Sequence, residues 1–386
     1  MERRPKAIYM DCASTTPVDP RVRDEVLRYL DEEFGNAGSR THDYGRRART
    51  AVEHARDLVA TVAGASRGDV IFTSGATESN NIAILGLARH GEETARRHIL
   101  ATAIEHHAVL APLAELARRG FEVQYLKPDP GGAVDPESVR RAVRQDTLLV
   151  SIMHVNNETG IVQPIEAITA MLDGSQAFLH VDAAQSFGKD IPPLRHPRID
   201  LISASGHKIH GPKGVGALIA RRRQGARPLL EPLMFGGGQE RGWRPGTQSV
   251  HLIAGLGKAA ELALEECDER RRRCLQFRTQ LLAGLAPLRP VINGDPNRSV
   301  AHIVNFSIPG LDSETVIEAW QDLVAISNGA ACTSQSYTCS HVLSAMDLPR
   351  SQQNGALRLS WCHLTPLPDF RSMITAVEDA ERRHPL

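Results

Sequence analysis

The stretch Ile199-Asp-Leu-Ile-Ser-Ala-Ser-Gly-His-Lys208 runs from apolar residues into a glycine, a histidine and a lysine, and a turn rich in Gly and Pro follows it. The apolar part predicts a buried strand, one of a series that decides the fold. Small neighbours leave room for the Lys208 side chain at the strand end. Burial there frees an amine to form an imine with an aldehyde. A solvated surface lysine is the alternative, because most lysines are exposed.

Short apolar runs like this one alternate with helical patterns between about residues 69 and 220. The predicted strands are 69–73, 98–102, 147–152, 177–181 and 199–202, and the predicted helices are 82–89, 109–119, 136–144 and 165–172. This alternation predicts an α/β fold with a mostly parallel sheet covered on both faces. Ligands of such sheets bind beyond the carboxyl ends of the strands.

A long helical pattern over 250–288 leads into a second region of α+β character. That region has predicted strands near 301–307 and 357–360 and a last helix after Pro368. We expect a large domain over 15–260, and a smaller domain formed by 1–14 with 261–386.

Composition argues against several classes of partner. The 386 residues carry 45 basic and 45 acidic side chains, so no net field favours nucleic acid or a membrane surface. No run of 18 apolar residues and no signal-peptide pattern occurs. The six cysteines are scattered without a C-x-x-C pair, which argues against a metal site and against a disulfide framework. We therefore expect a cytoplasmic protein with reduced thiols and no membrane contact.

Several polar residues stand just after the predicted strands. Thr77, at a glycine turn that opens a helix, suits a phosphate, and Asp182 could keep a pyridine nitrogen protonated. Each has the same alternative, an ordinary helix cap. Gln185 could bond a ring hydroxyl, and His106 could stack on the ring. With Lys208, these residue types point to pyridoxal phosphate.

Two further residues lie in the second region. Cys332 stands among small and polar residues, where a mobile reactive thiol is favoured over a buried structural cysteine. Arg358 occupies a strand-like run, and either a clamp on a substrate carboxylate or a structural salt bridge would explain it.

Nearly the whole chain resembles the pyridoxal-phosphate cysteine desulfurases. The resemblance rests on Asp11-Cys-Ala-Ser-Thr-Thr-Pro-Val-Asp-Pro20, Thr73-Ser-Gly-Ala-Thr-Glu-Ser-Asn80, Met153-His-Val-Asn-Asn-Glu158, His180-Val-Asp-Ala-Ala-Gln185, Ser205-Gly-His-Lys208, Gly236-Gly-Gly-Gln-Glu-Arg-Gly-Trp-Arg-Pro-Gly-Thr247 and Gly329-Ala-Ala-Cys-Thr-Ser334. It implies a fold-type I, aspartate aminotransferase-like large domain with a mostly parallel seven-stranded sheet and a smaller α+β domain. The cysteine segment is similar to that of the long-loop subclass.

The resemblance also implies a role for each site residue. Lys208 would hold the cofactor as a Schiff base, His106 would stack on the ring and move protons, and Cys332 would be the nucleophile. The residues implied in cofactor binding are Ala76, Thr77, His106, Asp182, Gln185, Ser205, His207, Lys208 and, across a homodimer, Thr247. Asn157 and Arg358 would hold the carboxylate of L-cysteine. The products would be L-alanine and a Cys332 persulfide, whose sulfur passes to an acceptor protein.

The pathway that receives the sulfur is less determined. Phe34-Gly-Asn-Ala-Gly-Ser-Arg-Thr-His42 and Pro232-Leu-Met-Phe-Gly236 resemble the DndA group of desulfurases, which serve bacterial DNA phosphorothioation. Iron–sulfur cluster assembly and tRNA thiolation are alternative destinations. Selenocysteine lyase, aminotransferase and a non-catalytic sulfur carrier remain alternative activities. Cys339, where the family more often has proline, is either a relay thiol or a passive residue.

Overall fold

The computed structural model describes residues 7–223, 225–328 and 340–383. Its strands are β1 Ile8–Tyr9, β2 Val70–Thr73, β3 His98–Thr102, β4 Glu122–Leu126, β5 Thr147–Met153, β6 Phe178–Asp182, β7 Leu201–Ser205, β8 Gly216–Ala220, β9 Val291–Ile292, β10 Ile303–Ser307, β11 Val324–Ala325, β12 Ser327–Asn328 and β13 Ala356–Ser360. Its α-helices are α1 Pro20–Leu27, α2 Asp43–Ala63, α3 Ala76–Leu85, α4 Ala88–Glu93, α5 His107–Arg118, α6 Pro136–Ala142, α7 Ile165–Met171, α8 Val250–Leu285, α9 Ser313–Trp320, α10 His341–Ala345, α11 Arg350–Asn354 and α12 Phe370–Arg383.

Seven strands form the central sheet in the order β2-β8-β7-β6-β5-β3-β4. The pairs from β7 to β4 are parallel, whereas β8 runs antiparallel to both of its neighbours. The predicted α/β fold with a mostly parallel seven-stranded sheet is therefore confirmed. All residues of β5, β7 and β8 are buried, as expected of strands covered on both faces.

The second region contains a four-stranded antiparallel sheet, β12-β13-β10-β9. The N-terminal β1 pairs in parallel with β11, so the start of the described chain lies against this region. The 36-residue helix α8 passes through position 260 without a break, and the predicted domain boundary there falls inside a continuous helix. The division of the chain at residues 14 and 260 remains a prediction.

The sheet order sets where a ligand can bind. Strands β3, β5, β6 and β7 run in the same direction, so their carboxyl ends meet at one edge. The segments that follow β5, β6 and β7 begin with His154, Ala183 and Gly206. Among the described residues, no helix combines the length and hydrophobicity needed to cross a bilayer.

Candidate active site

A cavity of about 480 Å³ opens at the carboxyl edge of the sheet. Its lining includes ten of the residues predicted from the sequence: Ala76, Thr77, His106, Asn157, Asp182, Gln185, Ser205, His207, Lys208 and Arg358. These residues come from six separate stretches of chain, and the fold brings them to one place.

Lys208 lies one short turn beyond β7, within a 3-10 helix over Gly206–Lys208. Its Nζ donates to the carbonyl oxygens of Ala13 and Ser14, at 2.5 and 2.7 Å. The side chain is partly buried and lines the cavity. The amine is thus held at the wall of the cavity, where a carbonyl group of a ligand could reach it.

Asp182 ends β6 with its carboxylate facing the cavity. Its Oδ2 accepts from Asn80 Nδ2 at 2.7 Å, and its Oδ1 accepts from the Ala184 amide at 2.9 Å. The side chain is 5 % exposed. A buried carboxylate fixed by two donors is suited to hold a protonated ring nitrogen.

The turn before α3 is built for close approach of backbone to a ligand. Gly75 has φ 155° and ψ −179°, a conformation essentially restricted to glycine. A Cβ on Gly216 of the neighbouring strand would lie 2.6 Å from the Gly75 Cα, so only glycine fits there too. The α3 amides at Ala76 and Thr77 then open onto the cavity, as phosphate-binding helix starts do.

The two cavity histidines are held in different ways. His106 caps α5 through its Nδ1, which accepts from the Ala108 amide at 3.0 Å, and burial lowers its pKa. His207 contacts Thr15 Oγ1 at 3.1 Å, and its pKa is lowered to about 4, first by burial and then by the charge of nearby lysines. Both rings are therefore neutral at pH 7.

Two buried polar atoms at the ring side of the cavity have no hydrogen-bond partner among the described residues: Gln185 Oε1 and Asn80 Oδ1. Gln185 is 4 % exposed, and its amide nitrogen donates to the Ala13 carbonyl at 2.8 Å. Orphaned buried acceptors are costly, and a ligand hydroxyl beside them would remove that cost. These residues fit a pyridoxal ring between Lys208 and Asp182.

Arg358 lies in β13 and is 1 % exposed. Its guanidinium donates to the Asn157 carbonyl at 2.9 Å, to Asp11 Oδ1 at 2.7 Å and to Ser14 Oγ at 2.8 Å. Its Nε is buried without a partner among the described atoms. The salt bridge that the sequence left as an alternative is present, and the same residue lines the cavity.

The sequence analysis also singled out Thr247, Cys332 and Cys339. Thr247 is exposed and is not part of the cavity lining of this single chain. Cys332 and Cys339 fall outside the described residues.

Sequence reasoning missed four residues that shape the site. Asn80 stands in a quoted motif but was given no role, and Asp11 and Ser14 turned out to hold Arg358. Lys213, in the glycine-rich turn after Lys208, also lines the cavity. Of the four, only Asn80 could have been recognised from the sequence. It stands near a helix start, and an asparagine that is buried there needs hydrogen-bond partners.

Glu105 lies directly behind the cavity and is fully buried. Its Oε1 accepts from Thr102 Oγ1 at 2.6 Å and from the Met153 amide at 2.8 Å. Burial raises the pKa of this carboxyl to about 8. The group is therefore a neutral acid at pH 7, next in sequence to His106.

A lysine, a carboxylate and a glycine-built phosphate turn at one edge of such a sheet define a pyridoxal-phosphate enzyme of fold type I. The family model "Aminotransferase class-V" matches residues 8–367. The curated protein "Cysteine desulfurase IscS" of Photobacterium profundum is 43% identical over 376 residues, covering 97% of this chain and 92% of the relative. The chain thus belongs to the class-V aminotransferase family and, within it, to the cysteine desulfurases.

Two solved structures share the fold. The crystal structure of DndA from Streptomyces lividans is 49% identical with a TM-score of 0.81, covering 94% of this chain and 100% of that one. A structure titled "SspA in complex with cysteine" is 34% identical with a TM-score of 0.80, covering 93% and 100%. The family, the fold and the dependence on pyridoxal phosphate predicted from the sequence are confirmed.

Proposed function

We propose that the chain converts L-cysteine to L-alanine, with the sulfur passing first to Cys332 and then to an acceptor protein. The observation that carries the proposal is the single cavity that unites Lys208, Asp182, His106 and Arg358. When bound, pyridoxal phosphate supplies an electron sink conjugated with the amino group of its substrate. A relative of this chain has been solved with cysteine bound, which fits the proposed substrate.

The chain's own residues would divide the work of binding and proton transfer. Lys208 would hold the cofactor aldehyde, and the α3 amides with Thr77, Ser205 and His207 would hold its phosphate. Asp182 would keep the ring nitrogen protonated, and Gln185 would bond the ring hydroxyl. Because His106 Nδ1 accepts from the Ala108 amide, Nε2 carries the proton of the neutral imidazole, and it would donate that proton to the substrate and take it back.

Substrate orientation is assigned to Arg358 and Asn157. The buried guanidinium faces the cavity with an unpaired Nε, although Asp11 already neutralises part of its charge. A substrate carboxylate would share the guanidinium with Asp11, so Arg358 binds and orients. The nucleophile would be the thiolate of Cys332, since only the thiolate attacks sulfur.

The test compares alanine and sulfide release from L-cysteine, with reductant present, between the wild type and Cys332→Ala. We expect the wild type to release both in equal amounts, and the variant to keep its bound cofactor yet release neither. A variant that keeps full activity would show that another group receives the sulfur. Parallel turnover of L-selenocysteine distinguishes a desulfurase from a selenocysteine lyase, which would act on selenocysteine alone.

We propose DNA phosphorothioate modification as the destination of the sulfur. Its support is the 49% identity to DndA, against 43–44% to the IscS relatives. Iron–sulfur assembly, the alternative, rests on the IscS relatives, one of which matches 97% of this chain, against 94% for DndA. Transfer of ³⁵S from labelled Cys332 to candidate acceptors, scored on denaturing gels, separates these two destinations.

The proposed enzyme is a homodimer of the cytoplasm. The segment before Thr247 exposes Leu233, Met234 and Phe235, the last at 90 %, which is unusual for a surface that stays in water. A partner chain on this segment would bury those side chains and bring Thr247 to its phosphate. The cysteines at 12, 267, 274 and 362 are free thiols, which suits a reducing compartment.

A further inference from the structure

A second cavity, of about 140 Å³, lies on the other side of Gln185 from the active site. Its lining includes His210, Cys362 and His363, together with Lys189, Cys267 and Arg270. None of these residues has a role in the proposed reaction.

Three metal-binding atoms converge at one end of this cavity. The ligand atoms of His210, Cys362 and His363 all lie within 4.8 Å of one another. The two imidazole rings meet edge to face, with centroids 5.0 Å apart. Tetrahedral zinc, with bonds of about 2.0–2.3 Å, holds its ligands roughly 3.3–3.8 Å apart. Side-chain movements of about 1 Å would therefore complete such a site.

The surroundings orient these groups as ligands. His210 Nδ1 lies 3.0 Å from the Pro17 carbonyl oxygen, which can only accept, so Nδ1 carries the proton and Nε2 has the free lone pair. This is the hydrogen bond that fixes metal-bound histidines in proteins. His210 also has φ 66°, a strained conformation for a side-chain-bearing residue.

Cys362 is held with its sulfur as an acceptor. The Thr365 hydroxyl donates to its Sγ at 3.7 Å, and the Cys12 thiol is hydrogen-bonded to the same sulfur. Lys189 faces the pair, whereas the charge of Arg270 is balanced by ion pairs to Asp19 and Glu266. The Cys362 sulfur thus lies among hydrogen-bond donors beside the two histidines, and Cys12 offers a second sulfur next to it.

We propose that His210, Cys362 and His363 bind one thiophilic divalent cation, zinc above all, with Cys12 or water in the fourth position. Binding deprotonates the Cys362 thiol and releases that proton to solvent. The three ligands come from two segments, the stretch after Lys208 and the stretch after the Arg358 strand, and Cys12 would add the stretch that contains Asp11 and Ser14. The metal would therefore link the segments that hold the lysine and the arginine of the active site. The sequence did not indicate this site, because its ligands do not form a C-x-x-C pair.

The test uses the metal-free holoenzyme titrated with cobalt chloride, because cobalt in a tetrahedral thiolate site gives visible absorption bands. We expect the bands to saturate at one cobalt per chain and to be displaced by zinc. Cys362→Ser and His363→Gln should lose them, and Cys267→Ser, a cysteine in the same cavity but outside the cluster, should keep them. Zinc should also raise the thermal midpoint of the wild type and leave that of His363→Gln unchanged.

Retained cofactor absorbance and alanine formation in each variant establish that it is folded. A cobalt spectrum that persists in Cys362→Ser would belong to another thiol, such as Cys332, and would overturn the proposal. Failure of the folded wild type to bind cobalt or zinc at one equivalent would overturn it equally. Loss of activity in Cys332→Ala without loss of the cobalt bands would keep this site separate from the proposed desulfuration.

Discussion

The position of the Asp182 carboxylate depends on Asn80, a residue that takes no part in the proposed proton transfers. Asn80 donates to Asp182 Oδ2 at 2.7 Å, and both side chains are buried. A hydrogen bond to a charged group contributes about 1.5–3 kcal/mol. Asn80 therefore acts as a positioning residue for the carboxylate that faces the pyridine nitrogen.

We expect Asn80→Ala to lower kcat/KM for L-cysteine by about ten- to a hundred-fold, the kinetic equivalent of that hydrogen bond. The absorption maximum of the bound cofactor should shift as well, because the carboxylate that faces the ring nitrogen is no longer held in place. Asn81→Ala is the matched control, since Asn81 only bonds the Thr77 carbonyl within its own helix. Equal effects of the two substitutions would show that helix stability, and not the carboxylate, was altered.

The carboxyl group of Glu105 makes the stability of the folded protein depend on pH, and it predicts that stability falls as pH rises. Its pKa is about 8 in the folded chain, against an ordinary value of 4.5. Between those pH values the folded protein holds a proton that the unfolded chain releases, so stability falls as pH rises. Below pH 4.5 the group is protonated in both states and contributes no slope.

Glu105→Gln should remove this slope, because glutamine keeps the acceptor for Thr102 and Met153 and cannot ionise. We expect the two proteins to unfold alike near pH 4.5, and the variant to become more stable, by up to a few kcal/mol, towards pH 8. Urea unfolding at a series of pH values measures the difference. The exposed Glu166→Gln serves as control, and a parallel difference there would contradict the assignment to Glu105.

At the scale of elements, a buried ion pair ties helix α2 to the segment before Thr247. Arg56 donates to Glu240 at 2.7 and 2.9 Å, and the side chains are 4 % and 2 % exposed. The same carboxylate accepts from the Phe72 amide in β2 at 2.9 Å. Glu240 itself has φ 47°, so its backbone is held in a strained conformation by these contacts.

Glu240→Ala should lower the free energy of unfolding by about 3 kcal/mol, because the buried Arg56 loses its bidentate partner and keeps only the more exposed Glu53, at 3.2 Å. Cofactor affinity should fall too, since β2 leads directly into the phosphate turn. The exposed pair between Arg89 and Glu231, at 2.9 Å, provides the control. We expect Glu231→Ala to cost about 0–1 kcal/mol in the same denaturant titration. A similar loss in both variants would argue that burial of the first pair is unimportant.

The strands show what the sequence could and could not predict. β3, β5, β6 and β7 were predicted because both faces are buried and their sequences are mostly apolar. β4, Glu122-Val-Gln-Tyr-Leu126, was missed because it is an edge strand with polar side chains in solvent. β8 was missed because it starts at Gly216, inside a turn rich in glycine and proline.

Part of the active site could be predicted once the strands had been predicted, and part of it could not. Asp182 and Lys208 stand at or just beyond strand ends, and the carboxyl edge of a parallel sheet collects such residues. Arg358 and Asp11 lie 347 positions apart, and no local pattern indicates that contact. The cluster of His210, Cys362 and His363 was likewise invisible, and the expectation of no metal site rested on local spacing alone.

At the scale of the whole molecule, the proposed dimer gives a prediction about which chain supplies Thr247. In a hybrid of one Thr247→Ala chain and one Lys208→Ala chain, the two cavities differ. If Thr247 acts across the dimer, the cavity with an intact Lys208 receives an intact Thr247 from its partner. The other cavity lacks both groups. Each parent homodimer is defective in both of its cavities.

We therefore expect the purified hybrid, isolated with two different affinity tags, to recover about half the wild-type rate with wild-type cofactor affinity at the working site, since the second site is inactive. The Thr247→Ala homodimer should bind the cofactor more weakly, because it loses one hydrogen bond to the phosphate. If Thr247 instead served its own chain, the hybrid would keep the weakened affinity of Thr247→Ala. Wild type mixed with Lys208→Ala is the control, and it should give half the rate under either arrangement. The affinity of the single working site in the hybrid thus decides whether one chain completes its partner's phosphate site.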